Sequence, residues 1–430
     1  MERTYIKDLK NKVGSEVLIN GFIQVIRDQG GIKFLIVRDI TGIIQIVVLK
    51  SEKEVFDFIK ELTLESVVEI EGLVKEEKQA PGGFELQAKK ITVLSKAEPE
   101  LPIPVLEEKG GDETEMSIRF DWRWIDLRKE NKALIFKTWT EFERGFRDFF
   151  DQNNYIQIYT PSFMSTSSET GADVFEVKYF DKKAYLSQSP QFYKQMAMAS
   201  GFEKVFVTGP VFRAEPSYTT RHTTEFTGFD FEISYIKSHY DVMAEEERMI
   251  ETVFKRLKNN LGLGVEIPTL PFPKITMAEA KEKLKAKGIK SEKFYDLTSE
   301  EEIELSKMIK EENGHEFVFV TDWPVEGRPF YHMRHEDNPK LTKSFDLLYK
   351  GLEVTTGAQR EHRIDVLKKQ AQEKGMDLEP LQDYLNFFRY GCPPHGGAGL
   401  GPSRFIMKIL GLSSVKEATY LPRDVKRLKP

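Results

Sequence analysis

The chain has 430 residues, of which 40% are hydrophobic and 31% charged, so it is long enough for two or three domains and too apolar to be disordered. Its 63 basic and 69 acidic residues give a net charge of −6, which argues against a protein that coats nucleic acid by bulk charge but not against one that reads it through a few contacts. No apolar run reaches the ~20 residues that span a bilayer, no signal peptide is recognisable, and a single cysteine excludes a disulfide framework, which together predict a cytoplasmic enzyme without a membrane partner.

The first hundred residues are rich in Val, Ile and Phe, in runs separated by turn sequences such as Asp-Gln-Gly-Gly at 28–31. Three predicted strands are followed by a helix and two further strands. This is the order of an OB-fold, a small barrel that often binds oligonucleotides. The predicted strands are 17–26, 33–38, 43–49, 66–75 and 84–94, and the predicted helix is 51–62.

Proline and glycine are frequent in residues 98–116, which is typical of a linker. We therefore place the OB-fold barrel at 1–100, a hinge at 101–125 and a second domain at 126–430.

The second domain begins with apolar residues three and four apart, which describe one face of an amphipathic helix. Strands and helices then alternate without a regular βαβ rhythm, and neither a Rossmann nor a P-loop glycine motif occurs. We predict an α+β domain whose antiparallel sheet is flanked by helices, with a peripheral insertion at 262–315. The apolar helix face consists of Ile135, Trp139, Phe142, Phe146 and Phe149, and the predicted strands include 155–159, 205–213, 225–235, 317–322 and 345–355.

A first candidate for chemistry is the segment 212–232, where two predicted strands flank a loop that carries Arg221 and His222. Arg213 ends one strand and Phe226 begins the next, so cations and an aromatic ring meet at one end of a sheet. A guanidinium can hold a phosphate bidentately, and the ring can stack on a base. The alternative is an ordinary hairpin with solvated charges.

A second candidate is the run from Asp346 to Arg360. Asp346 and Glu353 are seven residues apart and would face opposite ways in one regular strand, but a bend at Lys350-Gly351 could change that. With Thr356 they offer hard oxygen ligands suited to Mg²⁺. The alternative is a salt-bridged strand.

A third candidate is the glycine-rich run 395–401, which precedes a predicted apolar helix with Arg404 in its first turn. Small residues let another molecule approach the backbone closely. By itself, such a turn is weak evidence.

Taken together and in this order, these segments make the chain resemble class II aminoacyl-tRNA synthetases. The three motifs of that class match Tyr155 to Phe163, with Pro161, Phe212 to Glu232 and Gly397 to Arg404. The N-terminal OB-fold is similar to that of the aspartyl, asparaginyl and lysyl subgroup. Finer stretches, such as 189–194 (Ser-Pro-Gln-Phe-Tyr-Lys) and 353–360, resemble aspartyl-tRNA synthetases of the archaeal and eukaryotic type. The resemblance implies ATP and L-aspartate as substrates, Mg²⁺ as cofactor, tRNA(Asp) as partner and a homodimer formed around the first motif.

The resemblance also implies roles for individual residues. ATP would be bound by Arg213, Ala214, Glu215, Arg221, His222, Thr223, Phe226, Glu353, Gly401, Pro402, Ser403 and Arg404, with Arg213 and Arg404 as the catalytic cations. Aspartate would be bound by Glu169, Gln191, Phe192, Tyr193, Lys194, Arg213, Asp230, Thr356 and Arg360, and magnesium by Asp346, Glu353 and Thr356. Two departures from the family pattern are Ser403, where an acidic residue is usual, and Thr356, where Ser is frequent.

In the OB-fold, the resemblance implies anticodon contacts by Arg27, Gln29, Phe34 and Gln45, with Phe34 stacked on the central uracil. The alternative for Phe34 is a place in the barrel core. By the same resemblance, enzymes that charge only tRNA(Asp) carry Trp and Lys where this chain has Gln24 and Pro81. Proline at the second position is typical of enzymes that also charge tRNA(Asn). We therefore expect tRNA(Asn) to be charged as well, although Pro81-Gly-Gly could be merely a tight turn.

Three alternatives to this function remain open from the sequence. An asparaginyl-tRNA synthetase is disfavoured because Lys194 and Arg360 suit a carboxylate better than an amide. A tRNA-independent relative is disfavoured by the N-terminal domain. A non-catalytic RNA-binding paralogue is disfavoured because Arg213, Glu353 and Arg404 are all present.

Overall fold

The structure, a computed structural model, describes residues 1–106, 113–166 and 174–430. The chain divides into two compact units, Met1–Ala133 and Leu134–Pro430.

The first unit contains a closed five-stranded barrel, with strand order β1-β2-β3-β5-β4, and the predicted OB-fold is thereby confirmed. Inward side chains alternate with outward ones, as in Leu35 and Val37 of β2, which are fully buried. The elements are β1 (Glu16–Asp28), β2 (Ile32–Asp39), β3 (Gly42–Leu49), α1 (Lys53–Phe58), β4 (Val67–Glu76) and β5 (Phe84–Ser95), with 3-10 turns at Ile6–Lys12, Ile59–Glu61 and Pro81–Gly83.

The described part of the predicted hinge at 101–125 has structure of its own, because two short helices, α2 (Met116–Asp121) and α3 (Arg123–Asp126), lie within or at the end of it. Ile103, Val105 and Ile125 form a small buried cluster beside them. Arg123 is fully buried and donates to the Asp126 carboxylate at 2.8 Å.

The second unit is built on an eight-stranded sheet of order β12-β13-β14-β15-β16-β11-β10-β6. The six central strands are antiparallel, as predicted, whereas the edge strands β12 and β6 pair in parallel with their neighbours. The strands are β6 (Ile156–Gln157), β7 (Phe163–Met164), β8 (Glu176–Tyr179), β9 (Lys182–Leu186), β10 (Lys204–Phe212), β11 (Glu225–Ser234), β12 (Lys274–Thr276), β13 (Phe317–Thr321), β14 (Ser344–Tyr349), β15 (Glu353–Arg360) and β16 (His395–Leu400). The helices are α4 (Glu130–Gln152), α5 (Gln191–Ala199), α6 (His239–Leu261), α7 (Met277–Ala286), α8 (Ser299–Asn313), α9 (Ile364–Glu373), α10 (Gln382–Asn386) and α11 (Pro402–Leu410).

One face of this sheet is covered by α4 and α6. The predicted apolar face of α4 is buried there, where Phe146 packs against Phe206 and Phe229. Along β11, Phe229 and Phe231 point into this core while Asp230 and Glu232 alternate with them. The opposite face of the sheet therefore carries carboxylates where the first face carries aromatic rings.

Candidate functional site

The carboxylate-bearing face of the second unit holds a cavity of about 340 Å³. The structure brings most of the predicted ATP- and aspartate-binding residues together on its wall. These are Gln191, Lys194, Arg213, Glu215, Arg221, His222, Thr223, Phe226, Asp230, Glu353, Thr356, Arg360, Gly401, Ser403 and Arg404.

Other predicted residues do not line the cavity. The prediction that Phe192 binds aspartate is wrong, because Phe192 is buried in a separate aromatic cluster, where its ring stacks on Tyr384 with centroids 4.0 Å apart. Tyr193 packs against the same cluster. Ala214 is half-buried in the loop after β10, Pro402 is buried at the first position of α11, and Asp346 is buried behind the wall. Glu169 lies outside the described residues.

Basic side chains meet at one end of the cavity. Arg404 donates from Nη1 to the backbone carbonyl of Glu353 at 2.8 Å and to its carboxylate Oε1 at 3.1 Å. These two bonds orient Arg404 although the preceding residue is Ser403 rather than an acid. The Arg213 guanidinium lies 5.6 Å from the Phe226 ring centre. This end therefore offers positive charge for phosphates and a planar surface for a base.

Burial lowers the pKa of His222, and the positive charge of Arg404 acts in the same direction. The imidazole is therefore neutral at pH 7. Its Nδ1 lies 2.7 Å from the Thr219 hydroxyl. His222 thus offers a hydrogen bond to the cavity rather than a fixed charge.

The predicted magnesium ligands lie on the hairpin formed by β14 and β15. Lys350 (φ 48°) and Gly351 (φ 75°) make a left-handed turn, and the register shifts by one residue after Leu347. Asp346 lies opposite Thr356, whose hydroxyl is 3.4 Å from Glu353 Oε1. The turn and the bulge therefore place on one face residues that a single regular strand would separate.

Both carboxylates of this set are held by arginines. Arg328 binds Asp346 bidentately, at 2.9 and 2.6 Å, yet burial raises the pKa of Asp346 to about 6, and the negative charge of Glu353 contributes. At Glu353 burial opposes ionisation, but the positive charges of the surrounding arginines, of which Arg404 has the largest effect, together hold the pKa below its ordinary value.

The donor set fits Mg²⁺ in its chemistry. Burial and the like charge of Glu353 both raise the pKa of Asp346, and a divalent cation beside the two carboxylates would favour their ionised forms. The hydroxyl of Thr356 adds a neutral oxygen. No group of three His, Cys, Asp or Glu side chains within 1–106, 113–166 and 174–430 is arranged to hold a metal. Such an incomplete set is typical of Mg²⁺ sites, where waters and substrate phosphates supply the remaining ligands.

Two buried cations occupy the other end of the cavity. Lys194 is 1% exposed and its Nζ donates to Asp230 Oδ2 at 2.9 Å. Arg360 is 3% exposed and donates from Nη2 to the carbonyl of Gly397 at 2.8 Å. Glu232 lies between the cations, 3.2 Å from Lys194 Nζ and 3.0 Å from Arg360 Nε.

Glu232 and His332 are site residues that the sequence analysis did not identify. Burial opposes ionisation of Glu232, but the charges of Arg360 and Lys194 prevail and lower its pKa. Burial and Arg360 lower the pKa of His332 well below its ordinary value, so its neutral Nε2 accepts from Arg360 Nη1 at 3.0 Å. The position of Glu232, two residues after Asp230 in a strand, was a signal for the former; nothing in the sequence pointed to His332.

The glycine-rich strand β16 has a role that the sequence did not indicate, in addition to the predicted one. A Cβ at Gly397 would overlap the Glu232 carboxylate, and one at Gly399 would lie 2.9 Å from Asp230 Oδ2. The absent side chains therefore make room for the two carboxylates of β11 rather than only for an incoming molecule.

The predicted anticodon residues lie in the barrel of the first unit. Phe34 is half-buried between the inward Lys33 and Leu35, so it points away from the core, and Arg27 is its cross-strand neighbour. The alternative that Phe34 is a core residue is therefore wrong. Gln45 donates to Glu85 at 2.9 Å. Gln29 is exposed in the β1–β2 turn.

The two positions expected to govern tRNA choice differ in their surroundings. Gln24 is the unpaired residue of a bulge in β1, between Ile23 and Val25. Pro81 is exposed and begins a short turn in which Gly82 and Gly83 both have positive φ.

Residues 115–425 match the model of a family described as tRNA synthetases class II (D, K and N), and residues 17–94 match an OB-fold nucleic acid binding domain. The chain belongs to this class II family. The resemblance seen in the motifs is thereby confirmed.

Named relatives refine the place of this class II synthetase within the family. It is 42% identical over 426 residues to the aspartate–tRNA(Asp/Asn) ligase of Methanopyrus kandleri, covering 97% of this chain and 96% of that protein. It is 41% identical to the aspartate–tRNA(Asp) ligase of Pyrococcus abyssi, with 97% of each chain covered. The crystal structure of asparaginyl-tRNA synthetase from Pyrococcus horikoshii with asparaginyl-adenylate superposes with a TM-score of 0.93, at 32% identity over all of both chains.

None of the helices in the described part of this synthetase has both the length and the apolarity that crossing a bilayer requires.

Proposed function

We propose that the protein activates L-aspartate with ATP, forming aspartyl-adenylate, and transfers the aspartyl group to the 3′ end of tRNA(Asp) and of tRNA(Asn) in the cytoplasm. The choice of aspartate as the amino acid rests on one observation, the pair of buried cations Lys194 and Arg360 in the wall of the cavity. Relatives named as aspartate–tRNA ligases support the same reaction.

The ATP end of the cavity supports the first step. The aspartate α-carboxylate is already ionised and attacks the α-phosphorus, so no general base is needed, and pyrophosphate leaves. Arg213 binds the α-phosphate and the attacking carboxylate, while Phe226 and Arg404 hold the adenine between them. Arg221 and His222 hold the γ-phosphate. Catalysis then comes from fixed positive charge and in-line alignment of the reacting groups.

Magnesium is part of this proposal. Asp346, Glu353 and Thr356 would hold it, with Asp346 and Glu353 on adjacent strands of one hairpin. When bound, Mg²⁺ neutralises charge on the phosphate oxygens. Arg328 donates to Asp346 and Arg404 donates to Glu353, so each arginine orients one of the carboxylates that would bind the metal.

The part of the cavity around Lys194 and Arg360 would favour aspartate over asparagine as the substrate. Arg360 uses Nε, Nη1 and Nη2 for one protein bond each, which leaves two of its five N–H groups for a ligand. With Lys194 beside it, the side-chain carboxylate of aspartate gains charge-assisted bonds that a neutral amide cannot match. Asp230 and Gln191 would lie near the substrate ammonium group.

The barrel supplies tRNA recognition in this proposal. Phe34 and Arg27 are cross-strand neighbours on its outer surface, where a base could stack on the ring beside a cation. Gln24 and Pro81 lack the large aromatic and the charged arm that would select between the two anticodons. We also propose a homodimer around Pro161, since exposed Ile156, Tyr159 and Phe163 lie close to it in sequence.

The experiment for tRNA choice is aminoacylation of unmodified tRNA(Asp) and tRNA(Asn) transcripts with labelled aspartate. We expect kcat/KM values within about one order of magnitude of each other, because Pro81 has neither an N–H donor nor a charge to select one base. Pro81→Lys combined with Gln24→Trp should favour tRNA(Asp). Discrimination of a thousandfold by the wild-type protein would contradict the proposal.

A further inference from the structure

Helix α8 approaches the ATP end of the cavity more closely than a peripheral insertion would. It packs on the β14–β15 turn at Gly351, where a Cβ would lie 2.9 Å from Ile303 Cα. Gly351 also has a φ of 75°, so any side chain there would be strained as well as crowded. This close approach brings the first turn of α8 beside Glu353.

The first turn of α8 is fixed by a capping box. The Thr298 hydroxyl accepts from Glu301 N at 3.3 Å, and the Glu301 carboxylate accepts from Thr298 N at 2.8 Å. Ser299 and Glu302 are three residues apart in this turn and therefore share a face. Both side chains are directed at Arg221.

Arg221 is held by this face through two of its nitrogens. Nη1 donates to the Ser299 hydroxyl, and Nη2 donates to Glu302 Oε2. The same Glu302 oxygen accepts from the backbone N–H of Glu353 at 3.3 Å. Glu302 thus joins the loop that carries Arg221 to the strand that carries Glu353.

The remaining nitrogen of the Arg221 guanidinium, Nε, is buried and has no hydrogen-bond partner within the described residues. Arg221 itself lines the cavity. Buried N–H groups are nearly always paired, so this one indicates a position for an acceptor oxygen. At the basic end of an ATP site, a phosphate oxygen is the acceptor that fits.

We propose that Glu302 is a positioning residue that holds Arg221 with its Nε–H directed at the terminal phosphates of ATP. The inference rests on the proposed function, since it assigns the support of one phosphate-binding side chain in the same site. In this view α8 is part of the nucleotide site although it lies in the segment 262–315.

The test is steady-state ATP–pyrophosphate exchange with aspartate, in which ATP and aspartate are varied separately. We expect Glu302→Ala to raise the KM for ATP about tenfold, because a misdirected arginine loses its alignment with the phosphates. The KM for aspartate should stay within about twofold, because Lys194 and Arg360 are untouched. Glu302→Gln, which keeps an acceptor oxygen, should lie between Glu302→Ala and the wild type. Glu300→Gln is the matched control, since Glu300 is exposed in the same helical turn.

A double-variant cycle separates positioning from a merely structural role. Once Arg221→Ala has removed the guanidinium, Glu302→Ala should change the KM for ATP far less than it does in the wild type, because only its bond to the Glu353 N–H remains to be lost. Additive effects, an unchanged KM in Glu302→Ala, or a lowered KM, which would mean that Glu302 competes with phosphate for Arg221, would each overturn the inference. A wild-type protein that shows no aspartate-dependent exchange would instead contradict the proposed function.

Discussion

At the residue scale, the basic side chains of the cavity could be predicted from the sequence. Arg213, Arg221 and Arg404 could be identified because they lie in segments that resemble the motifs of a known family. His332 could not be identified, because its importance depends on which side chain lies across from it, and the spacing of Glu232 from Asp230 did not show which cations Glu232 would meet. Only the folded sheet places Glu232 between Lys194 and Arg360.

Loss of a catalytic cation should stop adenylate formation without unfolding the protein. We expect Arg213→Ala or Arg404→Ala to lower pyrophosphate exchange by about 10²- to 10³-fold, the usual effect of removing one fixed group that stabilises developing charge. Arg389→Ala, at an exposed arginine outside the cavity, is the control. Near-normal exchange in the Arg404 variant would remove that residue from the mechanism.

Glu246 provides a residue-scale prediction about stability. This carboxyl is fully buried in α6, and burial raises its pKa from 4.5 to about 8. The folded state therefore binds a proton that the unfolded state releases above pH 4.5, so stability is full below that pH and falls as the pH rises through about 8.

Glu246→Gln cannot ionise, so its melting temperature should exceed that of the wild type by more at pH 8 than at pH 5. The control is Glu300→Gln, whose exposed carboxyl should give no such trend. A Glu246→Gln variant that is equally destabilised at both pH values would show that the carboxyl is held by contacts rather than penalised by burial.

At the element scale, the barrel was predictable because alternating strands and turn residues are local signals. The parallel pairing of β6 with β10 could not be predicted, because β6 has only two residues and β10 is distant from it in sequence. The contacts of α8 could not be predicted either: its charged surface suggested a peripheral helix, but Gly351 lets it pack closely on the β14–β15 turn, where Glu302 contacts Arg221 and Glu353.

Strand β16 gives the prediction at this scale. Gly397→Ala would place a methyl group against Glu232, which should lower the free energy of unfolding by about 1–3 kcal/mol and raise the KM for aspartate. Gly264→Ala, where a Cβ meets nothing within 4 Å, is the control. Denaturant unfolding and aspartate titrations of exchange would measure both effects. A fully stable Gly397→Ala variant with normal aspartate affinity would contradict this account of the glycine-rich strand.

At the scale of the whole molecule, the sequence indicated two functions in two parts of the chain, and the described residues form two compact units. The proposed anticodon residues lie in one unit and the cavity proposed to bind ATP lies in the other. The two activities should therefore respond separately to substitution.

Phe34→Ala tests this separation. We expect a loss of about 1–3 kcal/mol in tRNA recognition, the usual contribution of one base–aromatic stack, with pyrophosphate exchange unchanged. Aminoacylation at varied tRNA concentration and exchange without tRNA would measure the two. If both fall together with thermal stability, Phe34 supports the barrel rather than the tRNA.

We propose that two buried cations, Lys194 and Arg360, make this synthetase specific for an amino acid with a carboxylate side chain. Pyrophosphate exchange into ATP with each of the twenty amino acids, in the presence of Mg²⁺ and the absence of tRNA, tests this specificity directly. We expect exchange with L-aspartate and none above background with L-asparagine or L-lysine. Exchange supported by asparagine and not by aspartate would contradict it.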